Sequence, residues 1–382
     1  MYIKRNIEST VTSLMSQFRS VTITGPRQSG KSTLSRHMYP DFKYVNLEDP
    51  SELELALGDP KSFLDKYPKG SIIDEIQKAP KLLSYLQVRL DEDQTPGQYI
   101  LTGSQNFSLS MAVSQSMVGR TSVVTLLPLA MQEIKSSVPG IELLDIIYRG
   151  GYPAVNSGLV GVKEFYASYT QLYLERDVRD LRHVGDLSVF RDFMVLIAGR
   201  AAQLINLSDL SNITGYDAKT IKQWLSVLEA SYIIYKLPPL LSNISRQLTK
   251  APKYCFYDTG LLCSLLGVGS VDLLVSSPVW GSIFENFIIT EKYKNRSNKG
   301  VVPSFHYIRD KVGDEIDLIE HVDGVINMTE IKASKTFNPS MVKSLGKFDG
   351  IAKNNEKLIK QVIYRSENQT YKGVVFVAAD TI

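Results

Sequence analysis

Cysteine, histidine and tryptophan are scarce in this chain of 382 residues, with two, four and two copies. Cys255 and Cys263 cannot build a disulfide framework and lack metal-ligand spacing. His37, His183, His306 and His321 are scattered, which argues against a zinc site. No run approaches the ~18 apolar residues that span a bilayer, and residues 1–10 lack the apolar stretch of a signal peptide. An excess of one charge sign is missing too: 43 Lys+Arg face 40 Asp+Glu. The balance holds locally, at 16 against 16 over residues 1–150, 12 against 11 over 151–276 and 15 against 13 over 277–382. That excludes the heavy positive excess of an obligate nucleic-acid coat, while leaving room for local basic patches. The expectation from these absences is a reduced, soluble, cytoplasmic chain with no membrane partner.

What is there is a folded composition, with 43% hydrophobic and 22% charged residues. At roughly 150 residues per domain the length suggests two or three domains. Over the first 150 residues, short apolar runs at 20–24, 43–47, 70–74, 98–102 and 121–126 alternate with helical patterns such as 31–39 and 82–90. That alternation predicts a parallel sheet wrapped by helices. From about Ile141 the spacing turns helical, with Phe165, Tyr169, Leu172 and Tyr173 on one face and Val189, Phe193, Leu196 and Ile197 on another. A short helix, a turn at Gly215, a helix over 217–230 and a strand at 232–235 suggest a winged helix-turn-helix. Its buried stripe is Ile221, Leu225 and Leu228, leaving Lys219, Lys222, Gln223 and Ser226 outward. Trp224 and Trp280 read as core, and both cysteines as small buried residues.

A third unit starts near Ser277. It is expected to hold a helix over 281–292, a polar loop at 295–300, strands at 304–308, 315–320 and 325–331, a helix around 340–352 and a last strand at 373–378. The expected division is 1–140, 141–276 and 277–382, an α/β architecture with a helical and winged-helix middle.

Residues 25–32, GPRQSGKS, match G-x-x-x-x-G-K-[ST] at every position. A loop that turns successive backbone N–H groups onto phosphate oxygens needs glycine at Gly25 and Gly30. Pro26, Arg27, Gln28 and Ser29 form the wrap between them, and Thr33 follows in the helix whose amino terminus adds partial positive charge. Lys31 would place its ammonium on the β- and γ-phosphates and Ser32 its hydroxyl on Mg²⁺, with ATP as the expected ligand. Forty-three residues on, an apolar strand ends in Asp74 and Glu75, the first suited to hold Mg²⁺ and the second to polarise the attacking water. Ser104 or Asn106, ending the fourth strand, is a candidate sensor of the γ-phosphate. Arg120 has two open readings, a finger on transition-state charge or an ion-paired surface residue. Arg27 either approaches a phosphate or braces the loop.

In the third unit, Asp317 is followed thirteen positions later by Glu330 and then Lys332, with Glu285 on the preceding helix. Strands meeting at an angle would bring the Asp317 and Glu330 carboxylates to one Mg²⁺, and Lys332 shares a sheet face with Glu330. The alternative is a buried ionic network without chemistry. Glu175, Arg176, Asp177, Arg179, Asp180 and Arg182 alternate in sign, as a solvated helix face does, with Arg176 or Arg179 the ones able to reach nucleotide across domains.

Taken with Asn46, Leu47, Glu48, Asp49, Thr102, Gly119, Gly150 to Pro153, Asp258, Gly260 and Gly281 to Asn286, these motifs resemble a bacterial and archaeal family of AAA-type ATPases. Members carry a C-terminal domain of unknown function with a restriction-nuclease-like core. Ala130 departs from the family pattern, where serine is frequent. The resemblance implies ATP binding, a hydrolytic cycle and a C-terminal D…[DE]-x-K core spanning Asp317, Glu330 and Lys332. Two purposes for the cycle remain open, an action on DNA through the winged helix and nuclease-like unit, or a switch that binds a protein partner. Oligomerisation is compatible with either.

Overall fold

The computed structural model describes residues 2–104, 117–174, 178, 187–240, 251–352 and 356–382. Five strands form the first sheet: β1 (Ser20–Thr24), β2 (Lys43–Asn46), β3 (Ser71–Asp74), β4 (Tyr99–Gly103) and β5 (Thr121–Thr125), in the order β2-β3-β4-β1-β5 and all parallel. A parallel sheet is covered on both faces, so its strands read as continuous apolar runs. Successive residues then serve opposite cores. Ile73, Tyr99 and Leu101 pack with Leu82, Leu86 and Phe63, while Ile72, Ile100, Val21 and Ile23 pack with Val11, Leu34 and Leu126.

The middle is helical. Asn206 caps helix Leu207–Thr214, Gly215 ends it at φ 75°, and Asp217 caps helix Ala218–Ala230 by accepting from the Lys219 and Thr220 N–H groups. Ile221, Leu225 and Leu228 are buried, and Trp224 packs edge-on against Phe190 and Phe193. The antiparallel pair β6 (Ile234–Leu237) and β7 (Lys253–Phe256) follows. Both cysteines are buried and unpaired, and burial pushes each thiol up to about 12.

The third unit is a mixed six-stranded sheet, ordered β12-β13-β11-β10-β9-β8. Its strands are β8 (Phe305–Arg309), β9 (Glu315–Val322), β10 (Val325–Lys332), β11 (Lys357–Tyr364), β12 (Gln369–Tyr371) and β13 (Val374–Ala378). β8, β9 and β10 form an antiparallel meander, turned between β9 and β10 by Asp323 and Gly324 at positive φ. β11 returns parallel to β10, and β13 parallel to β11. Three differences from the sequence expectations stand out. The helix expected over 340–352 is three short 3₁₀ turns, and β11 and β12 had no assignment. The helix before the sheet runs Trp280–Ser297, so the loop expected from Asn295 begins later. Among the described residues no helix is long and apolar enough to cross a membrane.

The units share interfaces. Backbone bonds tie Leu240 N–H to the Tyr307 carbonyl and Tyr307 N–H to the Pro238 carbonyl, running the chain after β6 along β8. At the other end of helix Trp280–Ser297, Lys294 donates to the Leu129 carbonyl and Glu291 accepts from Met131 N–H.

Candidate functional site

The loop after β1 is shaped by positive φ where side chains would collide. Gly25 sits at φ 141°, and a Cβ there would come within 2.2 Å of the Leu126 carbonyl oxygen. Gly30 at φ 96° opens helix Lys31–Met38. Gln28, at φ 61°, is the non-glycine in the wrap that adopts the left-handed region. The Lys31 ammonium turns back into this loop and donates to the Gly25 and Pro26 carbonyls at 3.0 and 2.8 Å. Burial away from water lowers its pKa to about 8, against the pull of Glu75 and Asp74.

Asp74 closes β3 and is buried. One of its oxygens accepts from Tyr44 at 2.7 Å and the other from Thr102, so its position is fixed from both neighbouring strands. Tyr44 also meets the Ser32 hydroxyl, which joins the two expected metal-holding groups through one phenol. Glu75 follows at φ 58°, a left-handed position uncommon outside glycine. Its carboxylate accepts from Ser104 at 3.2 Å and from the Gln77 amide. Ser104 therefore stands on Glu75, beside its expected place on a phosphate.

Lys31, Ser32 and Glu75 line a cavity of about 610 Å³. Its polar lining also includes Arg27, Gln28, Gly30, Thr33 and Glu48. Its apolar lining includes Ile3, Leu129, Pro153, Leu159, Leu172 and Tyr173. Pro26 and Ser29 complete the loop, with Ser29 held by its carbonyl. That carbonyl accepts from Arg5 at 2.9 Å, while the same guanidinium donates to Leu127 O at 2.6 Å and pairs with buried Glu133.

The second constellation lies on the other sheet. Glu285, Glu315 and Asp317 place one carboxylate oxygen each within 4.8 Å of one another, a spacing open to a shared metal ion. Glu330 adds a fourth acid and Lys332 pairs with it at 2.7 Å. Asp317 also accepts from Ile331 N–H at 2.7 Å. Lys253, from β7, reaches Glu285 at 2.7 Å and contacts Glu315. Burial, then the neighbouring Asp317 charge, lifts Glu285 and Glu330 each to about 8, and burial raises Asp317 as well. The remaining Glu330 oxygen is buried with no hydrogen-bond partner among the described residues, which fits a cation ligand better than a closed ionic network.

Residues 17–135 match the family model of an AAA domain. Two further models, each of a domain of unknown function (DUF8612 and DUF4143), match residues 141–272 and 280–380. Uncharacterized proteins of Mycobacterium tuberculosis and Mycobacterium bovis are each 28% identical over 330 residues, 85% of this chain and 72% of theirs. An uncharacterized protein of Methanocaldococcus jannaschii is 25% identical over 306 residues, 70% of this chain and 65% of its own. Among solved structures, the Walker-type ATPase PABY2304 of Pyrococcus abyssi matches at 14% identity and TM-score 0.45, covering 69% of this chain and 96% of that one. AMPPCP-bound DnaA from Aquifex aeolicus matches at 13% and 0.32, covering 58% and 85%. The expected likeness to AAA-type ATPases holds.

Within residues 17–135, the structure decides between the two readings of Arg120 and removes it as a catalytic candidate of its own cavity. Arg120 makes a two-pronged ion pair with Asp91 at 2.7 Å, and its carbonyl accepts from Ser20 N–H at the start of β1. The phosphate loop leaves the opposite end of β1, four residues or roughly 13 Å away. The ion-paired reading of Arg120 is the one the structure gives, because a parallel sheet sends all strand starts to the edge remote from the loop. Asn106 and the alternating helix face 175–182, with Arg176 and Arg179, lie outside the described residues apart from Val178. Arg5, Gln77, Glu315 and Lys253 were not read from the sequence. Glu315 had a usable signal, since it lies two residues before Asp317 on a strand and so shares its face. Lys253 had none, as its partners come from another unit.

Proposed function

We propose that this protein binds ATP with Mg²⁺ and hydrolyses it to ADP and phosphate at the cavity of the AAA domain. The gathering of Arg27, Gln28, Gly30 to Thr33 and Glu75 along one cavity, with buried Asp74 next to Glu75 in the chain, carries the reading. Backbone N–H groups of the loop and the Lys31 ammonium hold the triphosphate, and the apolar part of the lining takes the base. Ser32 and Asp74, linked through Tyr44, would hold Mg²⁺, which when bound neutralises charge on the β- and γ-phosphates. Glu75 orients and deprotonates the attacking water, and Ser104 with Gln77 fixes its carboxylate. Because Arg120 is remote, no arginine of the described AAA domain is assigned as a finger, so turnover without a partner is slow.

The division into 1–140, 141–276 and 277–382 belongs to the same proposal. In it the middle is a winged helix-turn-helix presenting Lys219 and Lys222, both exposed. The last unit is nuclease-like, an interpretation supported by a helix, an antiparallel meander and a parallel return strand around Glu285, Asp317, Glu330 and Lys332. ATP turnover is then coupled to DNA. The experiment is the hydrolysis rate with no nucleic acid, with single-stranded and with duplex DNA. Stimulation by DNA supports this reading, and a salt-independent flat response favours a switch that binds a protein partner. Nicking of DNA with Mg²⁺ or Mn²⁺, lost in Asp317→Ala, tests the nuclease assignment separately.

A further inference from the structure

We propose that Lys253 is a tethered cation that competes with a divalent metal ion for the acid cluster of the last unit. The proposal rests on reading that cluster as a cation site. Two lysines face four acids there, and they differ in how they can leave. Lys332 is 37% exposed at its side chain and sits on the same strand as its partner, so its stem can swing into water. Lys253 is 2% exposed. Its ammonium bridges Glu285 and Glu315, two of the three carboxylates whose oxygens converge within 4.8 Å, and lies 5.3 Å from the Tyr307 ring centre.

A metal ion shared by those carboxylates would occupy the seat that the ammonium holds, since ligand oxygens sit at about 2.0–2.6 Å from Mg²⁺ or Ca²⁺. Like charges in a buried seat repel, so the two cations exclude each other. The orphaned oxygen of Glu330, itself 6% exposed, is an independent sign that the lysines leave the acids incompletely satisfied. Moreover, Lys253 does not belong to the unit that carries the acids. β7 is pinned to helix Trp280–Ser297 by Asn286, which accepts from Phe256 N–H at 2.7 Å and donates to its carbonyl at 3.0 Å. Asn286 thus holds β7, and Lys253 with it, against the helix that carries Glu285.

The test is Mn²⁺ binding to the full chain without nucleotide, followed by the electron paramagnetic resonance of free Mn²⁺. Lys253→Met and Lys253→Gln should each bind one Mn²⁺ at least tenfold more tightly than wild type, and adding Asp317→Asn should remove the gain. Unchanged or weaker binding in a folded Lys253 variant, alongside Asp317-dependent binding by wild type, overturns the competition and leaves the cation site standing. Absence of Asp317-dependent binding in every variant overturns both. Should the neutral variants unfold in buffer, an Asp317-dependent rise in Tm on adding Mn²⁺ supports the competition, and no rise overturns it.

Discussion

The two charged sites of this protein are built on opposite plans. The phosphate-loop part of the first site is contiguous, its glycines, lysine and serine following one another over eight residues. Its ammonium, on Lys31, donates to two carbonyls of the same loop. The acid cluster is assembled from β7, helix Trp280–Ser297, β9 and β10, and gathers four carboxylates around two lysines. The first aims the dipoles of one turn at its ligand. The second depends on three tertiary interfaces meeting. A site made by local backbone geometry tolerates change elsewhere, whereas an assembled one responds to any shift between its elements.

That contrast is broken most decisively at Glu75. Glu75→Gln should retain ATP binding and lower turnover by about 10²- to 10³-fold, the range for losing a positioned general base. Phosphate release under saturating ATP measures it, and normal turnover would reassign the base. Next, Lys31→Ala should weaken ATP binding by about 100-fold, near 2.7 kcal/mol, because it removes the ammonium assigned to the triphosphate. Fluorescent-nucleotide titration checks this, and undiminished affinity would remove the lysine from the site.

The two sites should also differ in the sign of their pH dependence. Glu285 and Glu330 have folded-state values raised from 4.5 to about 8. Between those values the folded chain holds protons that the unfolded chain has released, so stability falls as pH rises from about 5 to 8. Each group contributes up to about 1.4 kcal/mol per pH unit in that window. Lys31, lowered from 10.5 to about 8, acts the other way: between these values the unfolded chain binds the extra proton, and stability rises with pH. Urea midpoints at pH 6, 8 and 10 read both, and Glu330→Gln should make the lower-pH slope shallower. A flat profile below pH 8 would mean the acids are already neutralised by their lysines. The smallest effect is expected at Arg120→Ala, within about twofold in turnover and about 1 kcal/mol or less in stability, since its partner Asp91 is surface-exposed. A collapse of activity in that variant would place Arg120 at a neighbouring molecule's site.

Much of the first unit was legible because a parallel sheet writes itself as apolar runs, and a phosphate loop needs fixed residue types at fixed spacing. The five strands fall within one or two residues of the expected positions. The last unit was harder. β11 has charged residues interleaved along it, at Lys357 and Lys360, and gains its identity by pairing with β10, 32 residues earlier in register. The 3₁₀ turns at 339–351 carry apolar residues at helical spacing, yet pack Met341 and Leu345 onto the sheet without completing a helix. Asp258 illustrates the same limit: it looks like a motif residue, and its carboxylate binds Gly151 N–H, the Tyr166 hydroxyl and Leu261 N–H, a junction between segments over a hundred residues apart.

What the sequence alone determined is the chemistry of the loop at 25–33 and the strand that delivers Asp74 and Glu75, because backbone conformation there is dictated by the residues themselves. Tertiary structure alone decided that Arg120 faces away from the nucleotide cavity, that Arg5 grips the Ser29 carbonyl, and that Lys253 crosses from one unit to sit among the acids of another. Those outcomes depend on which surfaces meet, and charge in a buried place takes its meaning from neighbours that sequence distance does not reveal.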